Sequence, residues 1–183
     1  MKEIGIIDIE TTGFLNQGGL IVEIGIVSLD LESGKAEEKY NSLICEKGLD
    51  DRHTRYPFGW IFKNSDLNYQ ELLSAPTFES EKEKIKTILQ EFELGVTAYN
   101  KKFDFGFLNS RGITVKELPC PMIVATPILN LPGKYGAKWP SVEEAWKFLI
   151  GEPYVEAHRA LDDALHEAKI IYELYKLGVF KID

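Results

Sequence analysis

Four carboxylates and one imidazole, spread over three short motifs, carry the chemistry this sequence is equipped to do. Asp8 and Glu10 close an apolar run in Ile4-Gly5-Ile6-Ile7-Asp8-Ile9-Glu10-Thr11-Thr12-Gly13. Asp104 follows in Tyr99-Asn100-Lys101-Lys102-Phe103-Asp104-Phe105-Gly106-Phe107-Leu108, and His158 and Asp163 lie in Ala157-His158-Arg159-Ala160-Leu161-Asp162-Asp163. Gathered around one point, four carboxylates repel one another unless divalent cations neutralise them. All-oxygen donor sets suit hard cations such as Mg²⁺ or Mn²⁺. Two such ions side by side stabilise the attacking and leaving oxygens of a phosphodiester hydrolysis.

Each motif has a plainer reading beside the chemical one. On a strand, residues two apart share a face, so Asp8 and Glu10 point the same way, and burying both is costly without a compensating charge. If the strand ended at Ile7, both acids would simply reach solvent. Thr11, Thr12 and Gly13 then offer hydroxyl and backbone donors where a phosphate would sit. Asp104 suits a metal ligand or an acid in the first turn of a helix, where the helix dipole favours it. Asn100 reads as a helix cap or as a group that orients a ligand. A histidine serves as a general base because its reference pKa lies near neutrality, so His158 is either that base or a surface residue at a helix start. Spacing alone does not choose between Asp162 and Asp163 as its acidic companion.

The elements that must position these groups read as one α/β domain covering residues 1–183. Met1–Ile9 and Leu20–Leu29 are buried strands, and a turn at Glu32–Lys35 leads to a third near Glu38–Cys45, forming an antiparallel meander. Glu46–Pro76 has weak periodicity and is expected to be a long, functional or inserted loop. Ile85, Ile88, Leu89 and Phe92 make an amphipathic helix over Glu79–Phe92, Gly95–Tyr99 a strand, and Lys102–Arg111 a helix stopped by Gly112. A short strand is expected near Pro121–Val124. Ser141 with Glu144 is a capping-box helix start. The last helix, about Ala160–Leu177, is expected to bury Leu161, Leu165, Ala168, Ile171, Tyr172 and Tyr175.

Composition limits the partners. Hydrophobic content of 44% and charged content of 27% fit a soluble globular protein, and no run approaches a membrane span. Met1-Lys2-Glu3 leads straight into a strand-like run, so no leader is expected, and Cys45 and Cys120 form no metal motif. A reducing cytoplasm is the expected home. The net charge of −8 argues against gripping a long duplex, although two doubly charged ions would halve it. The expected footprint is a few nucleotides at a chain end.

Taken together, the motifs resemble those of the DEDDh 3′→5′ exonucleases, a family that includes polymerase proofreading subunits, ribonuclease T and oligoribonuclease. The resemblance spans nearly the whole chain: Asp8-Ile-Glu-Thr-Thr-Gly13, then Asn100-Lys-Lys-Phe-Asp104, then His158 with Asp163 five positions on, which decides against Asp162. It implies a ribonuclease H-like fold, with a mixed five-stranded sheet (the meander plus parallel strands) flanked by helices. It also implies two Mg²⁺ or Mn²⁺ ions, metal roles for Asp8, Glu10, Asp104 and Asp163, and a base role for His158. Phe14 matches a position where some members wedge an apolar side chain against the terminal bases. The implied activity is release of nucleoside monophosphates from the 3′ end of single-stranded nucleic acid, DNA favoured over RNA. The rivals are an exoribonuclease, a non-catalytic exonuclease-like module that binds nucleic acid or a polymerase, and a small-ester phosphatase.

Two departures stand out. Tyr99 occupies a position where many members have His. Arg52–Lys63 mixes basic and aromatic residues as single-strand stacking surfaces do, or else packs its rings on the core. Lys134, Tyr135, Lys138 and Trp139 form a smaller cluster of the same kind. Gln70–Leu73 faintly resembles a sliding-clamp-binding segment.

Overall fold

The structure, a computed structural model, describes residues 2–182. Three strands, β1 (Glu3–Thr11), β2 (Ile21–Asp30) and β3 (Ala36–Leu43), form the expected meander. A two-residue strand, β4 (Val96–Thr97), pairs in parallel with β1, so the sheet order is β3-β2-β1-β4. The sheet is mixed and flanked by helices, but it has four strands rather than five. Where a fifth would continue, Glu117 makes only an isolated parallel bridge to Val96.

Both faces of the sheet are covered, which is why β1 and β2 read as near-continuous apolar runs. Ile4 and Ile6 on β1, with Val27 and Leu29 on β2, pack against α7 (Ala160–Lys176). Ile7 and Ile9, with Ile24 and Ile26, pack against α3 (Phe78–Gln90) and α4 (Lys101–Ser110). The period of two therefore puts Asp8 and Glu10 on the α7 face, continuing the row of Ile4 and Ile6. Opposite Asp8 on β2 lies Gly25, where an added Cβ would come within 2.4 Å of the Ala160 carbonyl. Absence of a side chain at Gly25 lets the start of α7 rest on the strand itself.

Two expectations fail for physical reasons. Pro121–Leu129, read as a strand at its start, is helix α5: Pro121 occupies the first turn, where its missing N–H costs nothing, and Met122, Ala125 and Leu129 are buried at helical spacing. A short apolar run does not by itself distinguish the two periods. The last helix exists as expected, but its buried stripe is Ala160, Asp163, Ala164, Glu167, Ala168, Ile171 and Leu174, with Ile170 beside it. Leu161, Leu165, Tyr172 and Tyr175 are only partly buried. The stripe is turned toward small residues and two acids because α7 lies close against β2 and faces Asp8 and Glu10.

The remaining helices are α1 (Ile61–Asn64) and α2 (Tyr69–Leu72) in the 46–76 segment, and α6 (Val142–Leu149). The Ser141–Glu144 capping box forms as expected. Gln70–Leu73 is one helical turn with Leu72 in the core, so it is not free as an extended docking segment. Among the described residues no helix is long and apolar enough to cross a membrane.

Candidate active site

Elements far apart in sequence meet over the end of β1. A pocket of about 150 Å³ is lined by Asp8, Glu10, Asp104, His158 and Asp163, together with Glu156 and Glu167. Donor atoms of Glu10, His158 and Asp163 lie within 4.8 Å of one another. Asp104 is buried in the first turn of α4 and accepts a hydrogen bond from the Ile9 N–H at 3.3 Å. Asp163, 1% exposed, accepts from the Tyr154 hydroxyl at 2.9 Å and from the Arg159 N–H at 3.2 Å. Asp162 lies outside this pocket, in a cleft with Arg159 and Leu165.

His158 precedes α7 with φ 53°, a left-handed conformation uncommon outside glycine. The next residue holds it there. The Arg159 guanidinium donates to Glu23 at 2.8 Å and to Asp66 at 2.8 Å, and Glu23 also accepts the Ala160 N–H at 3.0 Å. Glu23 is buried directly across from Glu10 in the β1–β2 register. On its other side the His158 ring meets the edge of Trp60, centroids 4.7 Å apart.

No Lys or Arg lines the pocket. Burial, with Asp163, Glu23 and Glu156 nearby, drives the Glu10 carboxyl up to about 9. Burial lifts Asp104 to about 7, against the opposing pull of the Ile9 N–H. Asp8 is pushed well above the ordinary carboxylate range by burial and then by Glu167 and Glu10, and Glu167 by burial and then by Asp104. Burial and Asp163 take Glu156 to about 7. A set of buried carboxylates with no Lys or Arg among them is costly in any protein. It is the donor set that a hard divalent cation satisfies, so the residues fit the metal.

Sequence reasoning missed Glu167, Glu156 and Tyr154. The signal for Glu167 was present: it stands four residues after Asp163, on the same helix face. It is 3% exposed, and one of its oxygens accepts the Tyr99 N–H at 3.1 Å. Tyr154 and Glu156 lie in an irregular segment without periodicity to place them.

The other expected contacts divide. The Thr11 hydroxyl donates to the Gly13 carbonyl at 3.0 Å, and the Thr12 hydroxyl accepts the Leu20 N–H at 3.0 Å. Both hydroxyls therefore help shape the turn, and both residues also line the cleft beside Glu10. An added Cβ at Gly13 would lie 2.9 Å from the Phe58 ring. Asn100 makes no capping bond and lines the pocket. Phe14 is exposed and meets Phe103 edge-on, centroids 6.3 Å apart. Beside Glu10, a cleft of about 530 Å³ is lined by Thr11–Phe14, Tyr56–Phe58 and Trp60. The Arg52–Lys63 loop thus splits: Ile61 is buried, Phe62 packs on Tyr69, Phe58 packs on His53 while lining the cleft, and Tyr56 and Trp60 face the cleft.

The chain matches the RNase T family of exonucleases over residues 6–171, and it belongs to that family. Its fold is that of several solved nucleases. It is similar to cell-death related nuclease 4 (TM-score 0.67, 15% identity, 97% of this chain and 65% of that one). A full-length 3′-exonuclease gives 0.68 and 16%, with 98% and 62% covered. The nuclease domain of 3′hExo, a DEDDh family member bound to rAMP, gives 0.69 and 19%, with 100% and 96% covered. The chain spans less than two-thirds of the length of the first two. No curated protein sequence matches it.

Proposed function

We infer that this chain, read as one exonuclease domain, is a Mg²⁺- or Mn²⁺-dependent 3′→5′ exonuclease that removes nucleoside monophosphates from single-stranded ends. The observation that carries this reading is the convergence of Asp8, Glu10, Asp104, Asp163 and His158 in a pocket lined by no Lys or Arg. Asp8, Glu10 and Asp163 would hold one ion, and Asp8 with Asp104 the other. Such ions, when bound, would supply positive charge to offset the charge developing on the attacking and leaving oxygens. His158 accepts the proton of the attacking water, which adds to phosphorus as the bond to the 3′-oxygen breaks. Arg159, clamped on Glu23, and the edge of Trp60 fix the imidazole for that transfer. Asn100 and the backbone of Thr11–Gly13 orient the terminal nucleotide, and Phe14 stands where it separates the last bases.

DNA is the substrate first favoured, and the rAMP bound to the similar 3′hExo domain supports RNA as the second reading. DNA and RNA oligomers, each labelled at either end and incubated with Mg²⁺, Mn²⁺ or EDTA, test polarity, sugar preference and metal need together. Stepwise mononucleotide release from the 3′ end is expected. Cutting of a circular single strand, or turnover unchanged in excess EDTA, overturns the reading.

A further inference from the structure

The Lys134–Trp139 cluster has no part in the pocket, yet it is built onto its wall. Strands β5 (Pro132–Gly133) and β6 (Gly136–Ala137) form a small hairpin. Tyr135 at its tip is 90% exposed and Trp139 at its base is 64% exposed. Neither ring belongs to any apolar cluster of the fold. The foot is nonetheless anchored. Lys138 pairs with Glu144 at 2.6 Å, Pro140 is buried, and the Tyr99 hydroxyl lies 3.2 Å from both the Pro140 and the Ser141 carbonyls. Tyr99, the position that departs from the usual family residue, also lines the pocket.

Trp139 shares an open groove of about 520 Å³ with Phe14, Asn100, Lys102 and Phe103. Asn100 and Phe103 line the pocket too, so the groove continues from the pocket toward the hairpin. It shares Phe14 and Phe103 with the cleft that holds Trp60. In a protein of net charge −8, neither this groove nor the hollow of the hairpin is lined by a single acidic side chain, while Lys102, Lys134 and Lys138 line them. Among the described residues, Lys102 and Lys134 form no ion pair; Lys134 instead sits 5.0 Å from the centre of the Tyr135 ring.

We propose that this groove and hairpin bind the single strand upstream of the end held in the pocket, with bases stacking on Trp139 and Tyr135 and phosphates meeting Lys102 and Lys134. Exposed rings interleaved with lysines recognise single-stranded nucleic acid without sequence preference. The proposal rests on the reading that the pocket takes a strand end, and it lengthens the footprint beyond the few nucleotides that net charge alone implies. Efficiency should therefore rise with substrate length.

The test compares a dinucleotide with a homopolymer of about twelve nucleotides, for the wild-type protein and for Tyr135→Ala and Trp139→Ala. Each variant is expected to lose roughly tenfold in kcat/KM on the long substrate through KM, to keep its dinucleotide rate within about twofold, and to melt with the wild type. Equal losses on both lengths, or none, overturn it. Anisotropy of a fluorescein-labelled oligomer on the same proteins in EDTA reads the surface without catalysis. If the wild type cleaves nothing but Trp139→Ala weakens binding, the exonuclease reading falls and the groove stands. If the oligomer binds all three proteins alike, or none of them, the groove falls.

Discussion

In the loop at 50–63, each arginine is answered from within a few residues, whereas in the pocket the acids come from β1, α4 and α7 and no Lys or Arg answers them. Arg52 pairs with Asp50 at 2.6 Å and Arg55 with Asp51 at 3.0 Å, all on exposed side chains. Asp8, Glu10, Asp104, Asp163 and Glu167 share one small cavity with no Lys or Arg. The loop's pairs follow local chemistry and stabilise little, because solvent screens them. The pocket concentrates a cost that proton uptake or a bound cation relieves. An acid-rich region is thus informative when its acids are distant in sequence, buried and unpaired, and uninformative when each already has a partner next door.

The largest expected effect breaks the pocket's side of that contrast. Asp8→Ala should reduce turnover to background and lower Mn²⁺ affinity, while raising the melting temperature of the metal-free protein, since repulsion among the remaining carboxylates falls. Calorimetric metal titration and thermal melting in EDTA read both halves. A metal-free variant no more stable than the wild type would mean that repulsion is relieved in some other way.

Next comes His158→Ala, expected to lose about 10²–10⁴-fold in single-turnover rate. Mn²⁺ binding should persist. Collapse of metal affinity would make His158 a ligand, and an unchanged rate would remove it from the mechanism.

A smaller effect separates pocket from loop by pH. The pocket carboxyls have folded-state pKa values above their unfolded ones, so the folded protein binds the extra protons. That stabilisation is complete below their ordinary values near 4, and it is lost as pH rises through about 7 for Asp104 and Glu156 and about 9 for Glu10. In EDTA, the melting temperature should fall between pH 5 and 9, and saturating Mg²⁺ should flatten the slope. Glu167→Gln should flatten it too. A metal-free melting temperature that rises over that range would contradict the electrostatic account of the pocket.

The smallest effects lie within the loop. Trp60→Ala removes the edge that holds His158, and should cost several-fold in kcat with little change in melting. Phe62→Ala removes packing on Tyr69, and should cost about 1–2 kcal/mol of stability, below the range for a fully buried ring, with kcat kept. The reverse pattern would show that Trp60 serves packing and Phe62 the site.

What the residues alone revealed was local. Alternation along β1 placed Asp8 and Glu10 on one face, Ser141 and Glu144 announced the start of α6, and helical spacing marked out α7. These follow from periods of 2 and 3.6, set by backbone geometry within one element. The apolar run at Pro121–Val124 did not reveal its period, because four residues satisfy both.

Which faces meet was decided only in three dimensions. Glu167 joined the pocket because α7 turned the stripe that carries Ala164, Asp163 and Glu167, not Leu161, Leu165, Tyr172 and Tyr175, toward the sheet. Arg159 reached Glu23, 136 residues away in sequence, because Gly25 lets the helix start lie on the strand. The foot of the hairpin was tied to the pocket-lining Tyr99 through its hydroxyl, 41 residues from the carbonyl of Pro140. A sequence specifies each element's own periodicity, since neighbours along the chain are always neighbours in space. The pairing of distant polar groups depends on how those elements pack, and in this protein that packing assembles the site.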